Sequence, residues 1–340
     1  MQKNLLFSLA ILGTLTVGYF LLRNKLSGTV ENILVQPTAM KDIYHQWKVE
    51  YNHNLGGAED DYRFKVFSIN YLHIMQHNKN PNKTYELGLN GFTHLTEEEF
   101  SAIFLGSTLP ETFIEDDFTI GFTDLNITNL NASVDWRPIM NPAKTQGKCG
   151  SCWAFSAVAA IEGTYAVKAG VRLDLSEQEL VDCSATHGNK GCHGGLKDRA
   201  FRYVIANGGL ASQEDYPYKA VEGTCRSDFQ RYGNISSYII VPRMNPEALK
   251  AALNQQPVAV SVNAETWKNY RSGIINDEAC NTKTNHAIIA VGYNTTDDIP
   301  YYIVRNSWGP KWGENGHARV AIKDGIGICG IHHTPYFPVI

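Results

Sequence analysis

Residues 146–156 read QGKCGSCWAFS, and this stretch constrains the chain more than any other. Two cysteines stand three positions apart, Cys149 and Cys152. The second opens a long apolar run, CWAFSAVAAIEGTYAVKAG, that closes at Gly170. Such a run with a glycine stop reads as a helix starting near Ser151, with Cys152 in its first turn. A redox C-x-x-C belongs after a strand in a βαβ unit, and no such unit precedes it. A zinc site wants a second close Cys or His pair, and the sequence has none. The remaining reading separates the thiols. Cys149 is structural, and Cys152 is a nucleophile whose thiolate the helix N-terminus favours.

The compartment supports that separation. Residues 5–22, LLFSLAILGTLTVGYFLL, carry no charge, and Lys3, Arg23 and Lys25 flank them. They read as a cleaved secretory signal, the leading reading, or as a signal anchor; a buried core helix is the bland alternative. Either leading reading sends the rest into an oxidising lumen, where cysteines pair. The chain has 7 cysteines, so pairing leaves one thiol over. N-x-[ST] sequons at Asn82, Asn126, Asn131, Asn234 and Asn294 are candidate glycosylation sites. A net charge of −4 without a basic stripe excludes nucleic acid as a partner.

The 340 residues allow one to three domains. In KDIYHQWKVEYNH, Ile43, Trp47 and Tyr51 recur at four-residue steps, which predicts an amphipathic helix. Glu59, Arg63, Phe67, Asn70, Ile74 and Asn78 then share one helical stripe. By spacing alone this is an ordinary amphipathic helix, but its polar members are unusual for a core face. Glu59 and Arg63 suit an i,i+4 pair. Thr96 with Glu99 is a capping box, as is Ser176 with Glu179 ahead of LSEQELVDC. Residues 106–133 are rich in Gly, Pro, Thr, Asn and acids without a period, and read as a linker with a processing boundary. Apolar runs PVAVSVNA (257–264), HAIIAVGY (286–293) and YYIVRNSWG (301–309) are of strand type. Helices first and strands later give an α+β class with a helical half and a β half.

A thiolate that attacks a carbonyl needs a base that later returns a proton to the leaving amine. His286, opening a strand-like run, suits that role. Asn306 can orient the ring by accepting from one of its nitrogens. Gln146 can offer an amide N–H to a developing oxyanion, beside the backbone N–H of Cys152.

The same residues carry a resemblance. QGKCGSCWAFS, GCHGGL (191–196), NHAIIAVGY and NSWGPKWGENG resemble the papain family of cysteine proteases. His286 lies 134 and Asn306 154 residues after Cys152, close to that family's spacing of roughly 130–150. The stripe Glu59, Arg63, Phe67, Asn70, Ile74 and Asn78 resembles the inhibitory propeptide helix of cathepsin L-like precursors. Gly88, Asn90 and Phe92 match a second propeptide motif, which ends in His94 where relatives have Asp. Two readings of His94 stand side by side: a ring that titrates across lumenal acidification and loosens the propeptide, or an ordinary solvated surface histidine.

The resemblance implies a papain-like two-domain fold, helical plus β-barrel-like, behind a small helical inhibitor. The plan is 1–25 signal or anchor, 40–105 inhibitory propeptide, 106–132 linker with the processing site, and 133–340 peptidase, the cut falling somewhere in about 122–133, ahead of Val134-Asp135-Trp136. It implies disulfides Cys149–Cys192, Cys183–Cys225 and Cys280–Cys329, with Cys152 the odd thiol. It implies substrate contacts at Gly194 and Gly195, whose missing side chains admit a peptide strand, and at Trp308 and Trp312. The pocket for the second residue before the scissile bond would comprise Leu196, Lys197, Ser261, Ala287 and Thr334. An apolar or aromatic side chain is expected there, with tolerance for polar ones because of Lys197. No cofactor is expected. Partners are protein and peptide substrates, the chain's own propeptide and cystatin-type inhibitors, acting on a monomer. The location is the secretory pathway, ending in a lysosome or acidic vacuole or outside the cell. No histidine-bearing insertion near Cys192 blocks the cleft, so an endopeptidase is implied; a catalytically inactive binding protein of the same fold is the alternative. WRPIMNPAKTQG is two residues shorter than its cathepsin L counterpart.

Overall fold

A computed structural model describes residues 37–106, 119–120 and 128–340. The apolar run at 5–22, the sequon at Asn126 and most of the 106–133 linker lie outside the described residues. No helix among the described residues is long and apolar enough to cross a membrane. The described residues form two compact units that divide between Leu72 and His73.

The first unit holds helix α1 (Pro37–Glu50) and most of α2 (Gly57–Lys79). Its core is aromatic: Tyr44, Trp47 and Phe67 have ring centroids 5.0 to 5.6 Å apart. The buried stripe of α1 is Met40, Tyr44 and Trp47. It is shifted from the expected Ile43–Trp47–Tyr51 because Tyr51 falls past the last turn. On α2, Arg63 Nε donates to Glu59 Oε1 at 2.6 Å.

The second unit begins within α2, so the division by packing falls inside the segment matched to the propeptide. The reason is the strand that follows. β1 (Tyr85–Leu87) pairs antiparallel with β6 (Tyr270–Ile275) and becomes the edge of the large sheet. Between them come α3 (Glu97–Phe104), β2 (Thr119–Ile120), β3 (Ser133–Asp135), α4 (Cys152–Lys168), α5 (Glu177–Cys183), α6 (Lys197–Asn207), β4 (Ser237–Ile240), α7 (Pro246–Gln255) and β5 (Val258–Val262). After β6 follow β7 (His286–Asn294), β8 (Tyr301–Arg305), β9 (His317–Ala321) and β10 (Tyr336–Val339). The strand order is β1-β6-β9-β8-β7-β5-β10-β4-β2, with β3 on β7.

Two hydrophobic cores flank this sheet. One surrounds Trp267, Trp308 and Trp312; the other surrounds α4. Every residue from Cys152 to Thr164 is buried, which explains why that helix is apolar all round. Strand β7 serves both cores. Ile288 and Ala290 face the first, and Ala287, Ile289 and Val291 face the second. A strand buried on both faces has no polar alternation, hence the continuous run HAIIAV.

The Thr96–Glu99 box forms with both halves present. At α5 only Ser176 acts, accepting from the Glu179 N–H at 3.0 Å. The Glu179 carboxylate instead takes the Ala211 N–H at 2.6 Å, the Tyr203 hydroxyl and Asn207 amide at 2.9 Å, and the Arg231 guanidinium. A fully buried carboxylate needs that many donors.

Candidate active site

Cys149 is bonded to Cys192, Cys183 to Cys225 and Cys280 to Cys329. Cys152 is a free, buried thiol. It is the first residue of α4, and Ser151 is the N-cap. The Ser151 hydroxyl does not cap the helix; it meets the Tyr218 hydroxyl at 2.6 Å, which in turn donates to the Gln146 carbonyl. Burial raises the Cys152 pKa, and backbone groups of Ala287, Gly106 and Trp153 oppose the rise.

His286 opens β7 and is fully buried. Its Nε2 lies 2.8 Å from Asn306 Oδ1. That oxygen also accepts the Ser307 backbone N–H at 2.7 Å, which fixes the orientation of the amide. Nε2 must therefore carry the proton, and Nδ1 is left with a lone pair as the basic nitrogen. Trp308 lies nearly parallel over the ring at 4.7 Å, inclined by 28°. Burial pushes His286 down to about 4; the Asn306 bond and the Phe104 carbonyl oppose this. Nδ1 makes no hydrogen bond of ordinary geometry, so the pull of the Phe104 carbonyl is electrostatic.

Gln146 is fully buried. Its Oε1 accepts the Ser307 hydroxyl at 2.6 Å, and its Nε2 donates to the Cys149 carbonyl at 2.9 Å and the Phe104 carbonyl at 3.2 Å. The short loop before it is tied down at both ends. Arg305 donates to the Asn141 carbonyl, and the Gln146 N–H to the Ser307 carbonyl at 2.8 Å. Ser307 thus holds both Asn306 and Gln146, a role the sequence reading missed although it stands between Asn306 and Trp308. A second unforeseen group lies behind this pair: Lys144 bridges buried Glu162 and Glu177 at 3.3 and 2.9 Å. Burial raises Glu177 to about 7, against the pull of Lys144.

The segment upstream of residue 106 fills the site. Gly88 and Asn90 lie on the lead-in to β6, and Phe92 packs on Trp308. The Gly88 N–H donates to the Asn269 carbonyl at 2.8 Å, and Asn90 Nδ2 to the Lys268 carbonyl at 2.7 Å. Lys268 replies with a 2.8 Å bond to the Leu95 carbonyl and a 2.7 Å ion pair to Glu97. Asn78 brackets Leu87 through both of its amide atoms. Phe100 packs edge-on to Trp308 at 5.0 Å, with Phe92 and Phe104 alongside. His94 is half-buried beside Thr93.

Gly106 then crosses the cleft. Its carbonyl accepts the Gly195 N–H at 3.2 Å. A Cβ on Gly106 would sit 2.3 Å from the Gly150 carbonyl oxygen, and one on Gly194 2.2 Å from the Gly106 oxygen. Of the pocket residues, Leu196, Lys197, Ser261, Ala287 and Thr334 are all buried, and Lys197 donates to Ser261 and Thr334. Trp312 is buried as well, edge-on to Trp308 and donating to the Trp267 carbonyl at 3.2 Å. Asn82, Asn131 and Asn234 are exposed, while Asn294 is half-buried and turns its side chain onto Thr296.

A free thiol reached by the Ala287 backbone, a base of fixed tautomer at the adjoining His286, and an amide donor that already holds a peptide carbonyl suit acyl transfer. Chemistry of this kind belongs to thiol hydrolases, here closed by a stretch of the same chain. Comparison with known proteins agrees. Residues 130–339 match the papain family cysteine protease model, and residues 44–100 the cathepsin propeptide inhibitor domain. The chain belongs to the papain family of cysteine proteases and is a papain-like cysteine endopeptidase carried as a zymogen with its inhibitory propeptide. It is 41% identical to germination-specific cysteine protease 1 of Arabidopsis thaliana, over 88% of this chain and 84% of that one. Among solved structures it is similar to a recombinant stem bromelain precursor, with a TM-score of 0.81 and 36% identity, covering 88% of this chain and 99% of that one. Digestive procathepsin L 3 of Tenebrio molitor larval midgut gives a TM-score of 0.82 and 33% identity, with coverage of 88% and 99%.

Proposed function

We propose that the chain is a secretory-pathway zymogen of a lysosomal, vacuolar or extracellular endopeptidase, working through Cys152, His286, Asn306 and Gln146. His286 Nδ1 takes the Cys152 proton, and the thiolate attacks a substrate carbonyl carbon. The oxyanion settles between Gln146 Nε2–H and the Cys152 backbone N–H. His286 then protonates the departing amine, leaving a thioester on Cys152. The same ring deprotonates a water that hydrolyses it. Asn306 keeps the ring turned throughout, and Trp308 keeps water from the His–Asn bond.

One observation carries this reading: the Phe104 carbonyl lies on the Gln146 amide beside His286, where a scissile carbonyl would lie. The opposite shifts of thiol and imidazole belong to this closed state. With the cleft covered, the pair is neutral. A thiolate–imidazolium pair forms once the propeptide leaves and water returns. Residues 133–340 constitute the mature enzyme in this proposal, with substrate backbone on Gly194 and Gly195 and cystatin-type proteins as its inhibitors.

The test is mass spectrometry of the acid-processed precursor after treatment with the thiol-directed epoxide E-64. The expected result is a single adduct on Cys152, six cysteines in disulfides, and loss of residues before about position 133. A folded, processed chain that takes no adduct would instead be a non-catalytic relative.

A further inference from the structure

Lys197 carries a charge that the reaction above does not use. It is the first residue of α6, two positions after Gly195, and only 3% exposed. Its ammonium donates to the Ser261 hydroxyl and, at 3.4 Å, to the Thr334 hydroxyl, and stands 5.5 Å over the Tyr336 ring. An ammonium has three donors. Among the described residues no carboxylate pairs with it, because the adjoining Asp198 is taken by Arg202 at 3.0 Å. Burial without a counter-charge is costly and pulls Lys197 down to about 7.

The place of this charge gives it a use. Ser261 pairs with Ala287 across β5 and β7. Ala287 adjoins His286, and its backbone reaches the Cys152 thiol. Thiol and ammonium lie close enough to act on each other electrostatically. On the other side, Gly195 already bonds a crossing peptide backbone through the Gly106 carbonyl. A strand laid on Gly195 therefore runs past Lys197, two residues on, and the Ser261–Ala287 pair to which Lys197 is bonded.

We propose that Lys197 selects an acidic side chain, glutamate or aspartate, at the second position before the scissile bond. The carboxylate supplies the missing counter-charge and accepts the third ammonium N–H. The apolar preference expected from the resemblance gives way, since an apolar group would leave the ammonium buried and unpaired. This assignment rests on the proposed roles of Cys152 and of the Gly194–Gly195 edge.

The test uses the full precursor, acid-processed and titrated with E-64, on fluorogenic peptides that differ only at that position: Glu, Gln, Leu or Lys. At pH 5.5 a glutamate side chain stays ionised. The expected kcat/KM for Glu exceeds that for Gln by about tenfold or more, with Lys slowest, as for a buried charge pair against a broken one. Lys197→Met should bring the Glu-to-Gln ratio to about 1 and put Leu first. A wild-type ratio near 1 overturns the assignment, as does a ratio that survives Lys197→Met. The wild-type ratio alone decides if that variant does not fold. Cleavage of the Leu peptide with full E-64 titration but no acidic preference sinks this assignment only. A chain that takes neither E-64 nor peptide overturns it together with the reading it rests on.

Discussion

The stretch before the active site is held in two different ways. From Tyr85 to Phe104 it is anchored like a piece of the enzyme's own core. β1 joins the sheet, Asn90 donates to the Lys268 carbonyl and the Lys268 ammonium to the Leu95 carbonyl, and Leu95, Phe100 and Phe104 enter the core around Trp308. At Gly106 it is held by backbone alone, between Gly150 and Gly194, with no side chain. Burial is non-directional and supplies affinity. The glycine crossing supplies position and brings only backbone to the Cys152 thiol. Side-chain burial thus holds the stretch as far as the Phe104 carbonyl on Gln146, and backbone alone carries it past that point.

The largest effect should come from breaking the anchor. Phe100→Ala removes a fully buried ring and should cost about 3–5 kcal/mol. The closed state opens correspondingly more often, so the precursor's Cys152 becomes reactive to E-64 at neutral pH, where the wild-type precursor labels slowly. Unchanged labelling would mean that the anchor does not close the cleft. A smaller effect follows at the crossing. Gly106→Ala forces the Gly150 carbonyl aside, an overpacking of about 1–3 kcal/mol. It should speed labelling while leaving the melting temperature nearly unmoved, because only the crossing is displaced. A large drop in melting temperature would erase the distinction between the two holds.

The smallest effect, per pH unit, concerns protons. Closed, His286 is neutral, at about 4; opened, a ring titrates near its ordinary value of roughly 6.5. In a Cys152→Ala precursor, opening takes up one proton between those values. The closed state then loses stability as pH falls, by about 1.4 kcal/mol per unit. With the thiol present the proton passes from sulfur to ring, and the dependence flattens. Hydrogen exchange over residues 85–106 of both precursors, from pH 7 to 4, measures the difference. Identical slopes would contradict a neutral closed pair.

Local signals in the sequence were informative where one segment satisfies itself. The Thr96 box and the α4 run with its stop at Gly170 are of this kind. Signals failed where a distant group competes. Glu179 left its expected cap because donors from Tyr203, Asn207, Ala211 and Arg231 converge on it, and no local pattern announces them. The three-residue β1 is too short to show a period, so its pairing with β6, and with it the placing of the unit boundary inside α2, was not legible. Gly106 read as the start of a linker, since a glycine beside Leu105 says nothing about what passes over it. Within the candidate site, residue type and spacing singled out Cys152, His286, Asn306 and Gln146. Ser307 was not, because a serine's partners are set entirely by tertiary contact. Lys197 was named, but its burial without a carboxylate shows only in three dimensions.

The strand that begins with His286 feeds alternate side chains to the cores on either side. Neither half of the enzyme can melt and leave the other intact, because each would lose the wall that the other still needs. Catalytic alignment and cooperative unfolding are then one property. While that strand holds, His286 stays in register with Asn306.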